Sequence, residues 1–284
     1  MLKKLLPLLF LCTFANAAEW VDNLNESTEK LNNYTLITED PTTGMIMDHV
    51  TADVAIALWG FQNWNWGTES FHFRTEDWFE EDSDTGGSDK TGHFYMTYLL
   101  SRVLASRMED RGWSLEEASL YGSLSGMLAM TVLEIGDGTS PYGFSKEDLL
   151  ADGIGALTAY LIRSNPEVDK FLDVRLEYLP SSGYLDNADT ATDYSGMKHL
   201  VAFKFAGFED LRDTPLGYME VQVGYYARGY RAYDVDIAKS QQVYIGFGLD
   251  LTRLAGMTGI NVLENLFEFY QPGYTYVETN LWER

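Results

Sequence analysis

Apolar positions recur at the 3.6-residue period of an α-helix between residues 90 and 163, and the period drops to two after Lys170. The first helical run is predicted over about 90–110. Its apolar stripe is Met96, Leu100, Val103 and Leu104, with His93 on the same side and Arg102 and Glu109 on other faces. Gly112 ends this run, and Ser114 with Glu117 forms a capping box for a second helix over 115–135. Gly122 and Gly126 have the spacing that lets helix axes approach closely. The uncharged stretch 118–133 would rise only about 24 Å, short of a ~30 Å hydrocarbon core, so it reads as a buried core helix. A third helix is predicted from Ser145 to about residue 163, opened by a Ser145/Asp148 capping box and ended by Asn165-Pro166.

Four alternating segments follow, at 171–179, 198–208, 217–230 and 241–251. In the first, Leu172, Val174, Leu176 and Tyr178 alternate with Asp173, Arg175 and Glu177. Turn-rich stretches separate them, which predicts an antiparallel meander of at least four strands. A short amphipathic helix at 261–270 and an aromatic tail complete the chain. The fold class expected is α+β: a bundle of three main helices, then a small antiparallel β-meander. Ahead of the helices, 18–33 reads as a polar arm or short helix and 34–51 as turn-rich around DPTTG. Residues 52–60 are a short apolar run. Trp59, Trp64, Trp66 and Trp78 then fall close together before an acidic loop at 80–87. Such aromatics wedge a loop against a core or gather at a lipid or sugar surface. The domain organisation expected is 1–17 signal peptide, 18–88 arm and aromatic-rich segment, 89–165 helical domain, and 166–284 strand-rich region.

The signal peptide rests on Lys3 and Lys4, the apolar run 5–14 and the small-x-small triplet Ala15-Asn16-Ala17. It implies export to the periplasm. Cys12 is the only cysteine and lies inside the apolar run, so a mature chain has no disulfide, thiol nucleophile or cysteine metal site. The formal charge of −23 becomes −25 without Lys3 and Lys4. Such a surface repels nucleic acid and suits solubility and cations. A peripheral membrane or envelope contact through the aromatic segment remains open, and the oligomeric state is not expressed in the sequence.

Short connections make the three helices antiparallel neighbours. The start of the first, the end of the second and the start of the third therefore meet at one pole. That pole gathers Asp89, Lys90 and His93 with Glu134 and Asp137, and with Asp148 and Asp152. One reading is a network of caps and ion pairs, in which Asp89 caps the first helix and Lys90 neutralises Glu134 or Asp152. The other is a divalent-metal site with His93, Glu134 and Asp152 as ligands, an oxygen-rich set with one imidazole. His49, His72 and His199 stand apart and read as surface or packing residues. No Gly-x-Ser-x-Gly, P-loop or His-Glu-x-x-His motif is present.

These motifs carry a resemblance. Asp89-Lys90-x-x-His93, Glu134-x-x-Asp137-Gly138, and Gly143-Phe144-Ser145-x-x-Asp148 with Asp152 and Gly155 resemble the YfiM-like family of predicted periplasmic proteins or lipoproteins of unknown function. A fainter similarity extends to VanZ-like membrane proteins, where an asparagine stands in place of Asp152. The resemblance implies a location and a motif set, not a reaction. The leading expectation is an exported, non-catalytic cell-envelope protein. Two alternatives stay open: a metal-assisted hydrolase acting on an envelope lipid or cell-wall precursor, and an outer-membrane-embedded β protein.

Overall fold

The structure is a computed structural model that describes residues 21–27, 29, 38, 40–184 and 189–284. The signal segment and half of the expected arm lie outside the described residues, and 21–27 are helical, in line with the short-helix reading. The order of elements is α+β as expected: long helices first, then one antiparallel sheet.

The first long helix, α1 (Pro41–Asn63), corrects the turn-rich reading of 41–51. Asp40 accepts a hydrogen bond from the Thr43 amide at 2.7 Å, and Pro41 occupies the first turn, where its missing N–H has no cost. The same DPTT chemistry that marks turns also opens helices, and here the helix wins.

The three predicted helices are α2 (Ser88–Asp110), α3 (Leu115–Asp137) and α4 (Lys146–Arg163). The Ser114/Glu117 capping box is formed, and Ser145 Oγ accepts from the Asp148 amide at 3.1 Å. The buried face of α2 matches the predicted stripe in part: Leu104 is buried and Leu100 packs against the cluster of Trp66, Met130 and Leu133. Met96 and Val103 are each 42% exposed, whereas Thr97, Tyr98, Ser101 and Arg102 are buried. The reason is close packing. A Cβ built on Gly126 would lie 2.3 Å from Ser101 Oγ, and one on Gly155 would lie 2.3 Å from the Phe94 carbonyl oxygen. Small and polar side chains fill the closest helix contacts, and Met96 and Val103 are left outside.

The sheet runs β3 (Leu172–Tyr178), β4 (Met197–Lys204), β5 (Met219–Arg228), β6 (Ser240–Leu249) and β7 (Tyr276–Glu283), each antiparallel to the next in that spatial order. The aromatic tail is therefore a fifth strand, paired with β6 through contacts such as Phe247↔Val277. The predicted short helix is α5 (Asn261–Phe269). A two-residue parallel pair, β1 (Phe73–Arg74) with β2 (Phe144–Ser145), stitches the aromatic segment to the start of α4.

Helices and sheet share a core of Tyr95, Tyr98, Ala159, Ile162 and Val174, flanked by Phe94, Leu172, Leu176 and Phe269. Tyr95 donates its hydroxyl to the Phe269 carbonyl at 2.8 Å, fixing α2 against the end of α5. Arg102 is buried beneath this core and pairs with Asp169 at 2.6 Å and with Glu268.

Candidate functional site

The pole begins at a turn that only glycine makes without strain. Gly87 has φ +82° and precedes α2, and a Cβ there would collide with the Phe79 ring. The helix then starts at Ser88, without a side-chain cap. Asp89 is thus not the cap expected of it. It sits in the first turn and accepts the Tyr194 hydroxyl at 2.5 Å. Lys90, the next residue, is buried and does not reach Glu134 or Asp152. It pairs with Asp89 at 3.0 Å, Asp148 at 2.7 Å, and Glu76.

One turn further, His93 lies between the other two helices. Its Nδ1 is 3.2 Å from Asp152 Oδ1, and its Nε2 is 3.7 Å from Glu134 Oε1 and 4.0 Å from Asp148 Oδ1. Thr97 donates to the same Asp152 oxygen at 2.7 Å. Glu134 accepts the Ser145 amide at 2.9 Å, so the acid closing α3 also holds the opening of α4. Asp137 accepts the Trp66 indole N–H at 2.6 Å. Asp89, Lys90, His93, Glu134, Asp148 and Asp152 are therefore brought together. Asp137 joins from the edge through the aromatic segment.

Electrostatics follow from burial and this crowding. Burial disfavours the charged form of Asp89, yet the charges of His93 and Lys90 and the Tyr194 hydrogen bond hold it well below the usual carboxylate range. Burial also opposes the Lys90 charge, and Asp89, Asp148 and Glu76 overcome it and raise the ammonium. His93 follows the same rule: Asp148 and Asp152 keep the imidazolium favoured against burial. Burial pushes Glu134 up to about 9 and Asp137 up to about 7, and raises Asp148. The pole is a low-dielectric place where acids hold protons unless a cation faces them.

Above it opens a cavity of about 660 Å³. Asp89, His93 and Asp137 form its polar floor, with Tyr194 and His199 beside them. Its walls are mostly apolar: Ile56 and Trp59 of α1, Met96 and Leu100 of α2, Met130 and Leu133 of α3. Most ligand pockets combine this volume with apolar walls and a few convergent polar groups. Of the two readings for His199, the packing one holds. The ring is buried, with Nδ1 2.9 Å from Thr91 Oγ1, and burial lowers it to about 4. Glu76, Tyr194 and His199 were absent from the sequence-derived cluster. Each lies outside the three helices, and no local spacing links it to them.

Two sets of three could each offer ligand atoms mutually within 4.8 Å: Asp89, His93 and Asp148, or His93, Glu134 and Asp152. The fainter VanZ similarity finds no support. No curated protein and no solved structure matches the chain. The stretch 75–164, which holds every carboxylate, the lysine and the histidine of this pole, matches the model of the DUF2279 family, described as a predicted periplasmic lipoprotein, in keeping with a periplasmic, membrane-associated location.

Proposed function

We propose that this envelope protein rests on a membrane surface and holds an amphiphile, its hydrocarbon chain in the cavity and its polar head on the Asp89–His93–Asp137 floor. The observation that carries the reading is the cavity itself: about 660 Å³, apolar along its walls and charged only at one end. Burying an alkyl chain there gains roughly 25 cal/mol per Å² of apolar surface removed from water. The outside of the molecule supports the same reading. Leu120, Leu124 and Leu128 of α3 and Leu150, Ile154, Leu157 and Leu161 of α4 are exposed at helical spacing. A row of uncovered apolar side chains marks a contact with lipid or protein.

Gly92 provides the test. It lines the cavity, and a Cβ built on it meets nothing within 4 Å. Gly92→Leu should fold at least as well as wild type, since an interior helical glycine costs about 1 kcal/mol relative to alanine and leucine is a good helix former. The leucine would project into the space proposed for the chain. Purified wild type should release an acyl-chain lipid on solvent extraction and bind a fluorescent fatty acid, and the variant should do neither. A wild type that yields no lipid and ignores the probe, or a variant that binds as well, would end this reading.

A further inference from the structure

We infer that the pole holds a divalent cation, bound by His93, Glu134 and Asp152. The site lies behind the floor of the cavity, since neither Glu134 nor Asp152 lines it, and the inference does not depend on what fills the cavity.

The first observation is a crowding of acids around few cations. Six acidic side chains, those of Glu76, Asp89, Glu134, Asp137, Asp148 and Asp152, surround Lys90 and His93, and Arg74 reaches only Glu76 among them, at 3.8 Å. Lys90 serves Glu76, Asp89 and Asp148. Glu134 and Asp152 are left to His93 alone. The second observation is independent of charge. Glu134 is 1% exposed and Asp152 is fully buried, yet Glu134 Oε1 and Asp152 Oδ2 have no hydrogen-bond partner. Buried polar atoms are nearly always satisfied, and an orphan calls for an ion, a water or a catalytic use. The third is distance: one ligand atom from each of the three residues falls within 4.8 Å of the other two.

The alternative set, Asp89, His93 and Asp148, is the weaker host because Lys90 already occupies both acids. Two carboxylates and one imidazole suit Mn²⁺ or Zn²⁺ better than Ca²⁺, which prefers oxygen alone. The positions of the ligands are fixed from outside. Ser145 N–H holds Glu134 Oε2, and Thr97 holds Asp152 Oδ1. Such supporting bonds orient metal ligands and are worth tenfold or more in affinity.

The test is metal binding by the whole protein. Chelator-treated wild type is titrated with MnCl₂ and with ZnCl₂ by calorimetry, and bound Mn²⁺ is examined by pulsed electron paramagnetic resonance. About one equivalent should bind, with nitrogen coupling from one imidazole that His93→Gln removes. Glu134→Gln and Asp152→Asn should each weaken binding by about tenfold or more, the cost expected even for a lost supporting partner. Glu81→Gln, on the acidic surface, should change nothing. Wild type that binds neither metal overturns the inference, as does Mn²⁺ without nitrogen coupling, whether or not the variants fold. Binding equal in wild type, Glu134→Gln and Asp152→Asn assigns the metal to surface carboxylates and overturns it too.

Discussion

His199 shows how far a single side chain's surroundings can depart from its sequence context. In the strand it alternates with Lys198 and Leu200, and nothing nearby in sequence marks it. Pairing of β4 with β3 and β5 turns it inward toward Thr91, where burial lowers its pKa to about 4 from 6.5. The unfolded chain binds a proton there below pH 6.5 and the folded chain does not until about pH 4. The stability this neutral ring contributes is therefore complete above 6.5 and lost as pH falls through that window, by up to about 3 kcal/mol at roughly 1.36 kcal/mol per unit. Urea titrations at a series of pH values should show wild-type stability falling from pH 6.5 to 4 more steeply than in His199→Gln. Parallel curves would remove His199 as the cause. Lys90 teaches the same lesson at shorter range. Its partners were expected to be Glu134 or Asp152, but the side chain reaches back to Glu76, a residue in the aromatic segment whose path no periodicity describes.

Among elements, what was legible depended on whether one pattern spoke alone. The helices α3 and α4 carry capping residues, α2 lies between glycines, and β3 to β6 carry alternating patterns, so both sets were readable. The start of α1 was hidden because Asp40-Pro41 serves turns and helix N-termini alike. Strand β7 was hidden because it is exposed along nearly its whole length, so no alternation of buried and exposed positions marks it. The convergence of the pole was legible because short loops force antiparallel neighbours, and the glycines that make it tight were legible as spacing. Two of those glycines separate close approach from mere flexibility. Gly126→Leu must push Ser101 aside and should cost about 1–3 kcal/mol through overpacking. Gly153→Ala, in α4 with nothing within 4 Å of its new methyl group, should gain about 0.4–1 kcal/mol. Thermal melts of the two variants should move in opposite directions, and a shared direction would show that helix propensity alone governs both.

At the scale of the molecule, charged and polar side chains share the interior with the apolar core. Lys90, Arg102, Glu134, Asp152, Arg175, Glu220, Gln222 and Gln241 are buried, while leucines of α3 and α4 face outward. Arg175 is held in place by partners: it donates to Glu220 at 2.8 Å and to Gln271 at 2.9 Å. Buried charges hold only when paired, so this interior interlocks ion pairs with its apolar clusters. The sequence carried the residues of that interior without saying which would be inside, since a periodic apolar stripe is assumed to point inward.

The outward leucines of α3 and α4 have a practical consequence. Stripped of its natural surroundings, a molecule with that surface should stick to its own copies. Size-exclusion chromatography in plain buffer should give broad, high-mass elution despite a charge of −23, and a mild detergent above its micelle concentration should restore a single narrow peak. Polar replacements at Leu124 and Leu157 together should make the detergent unnecessary.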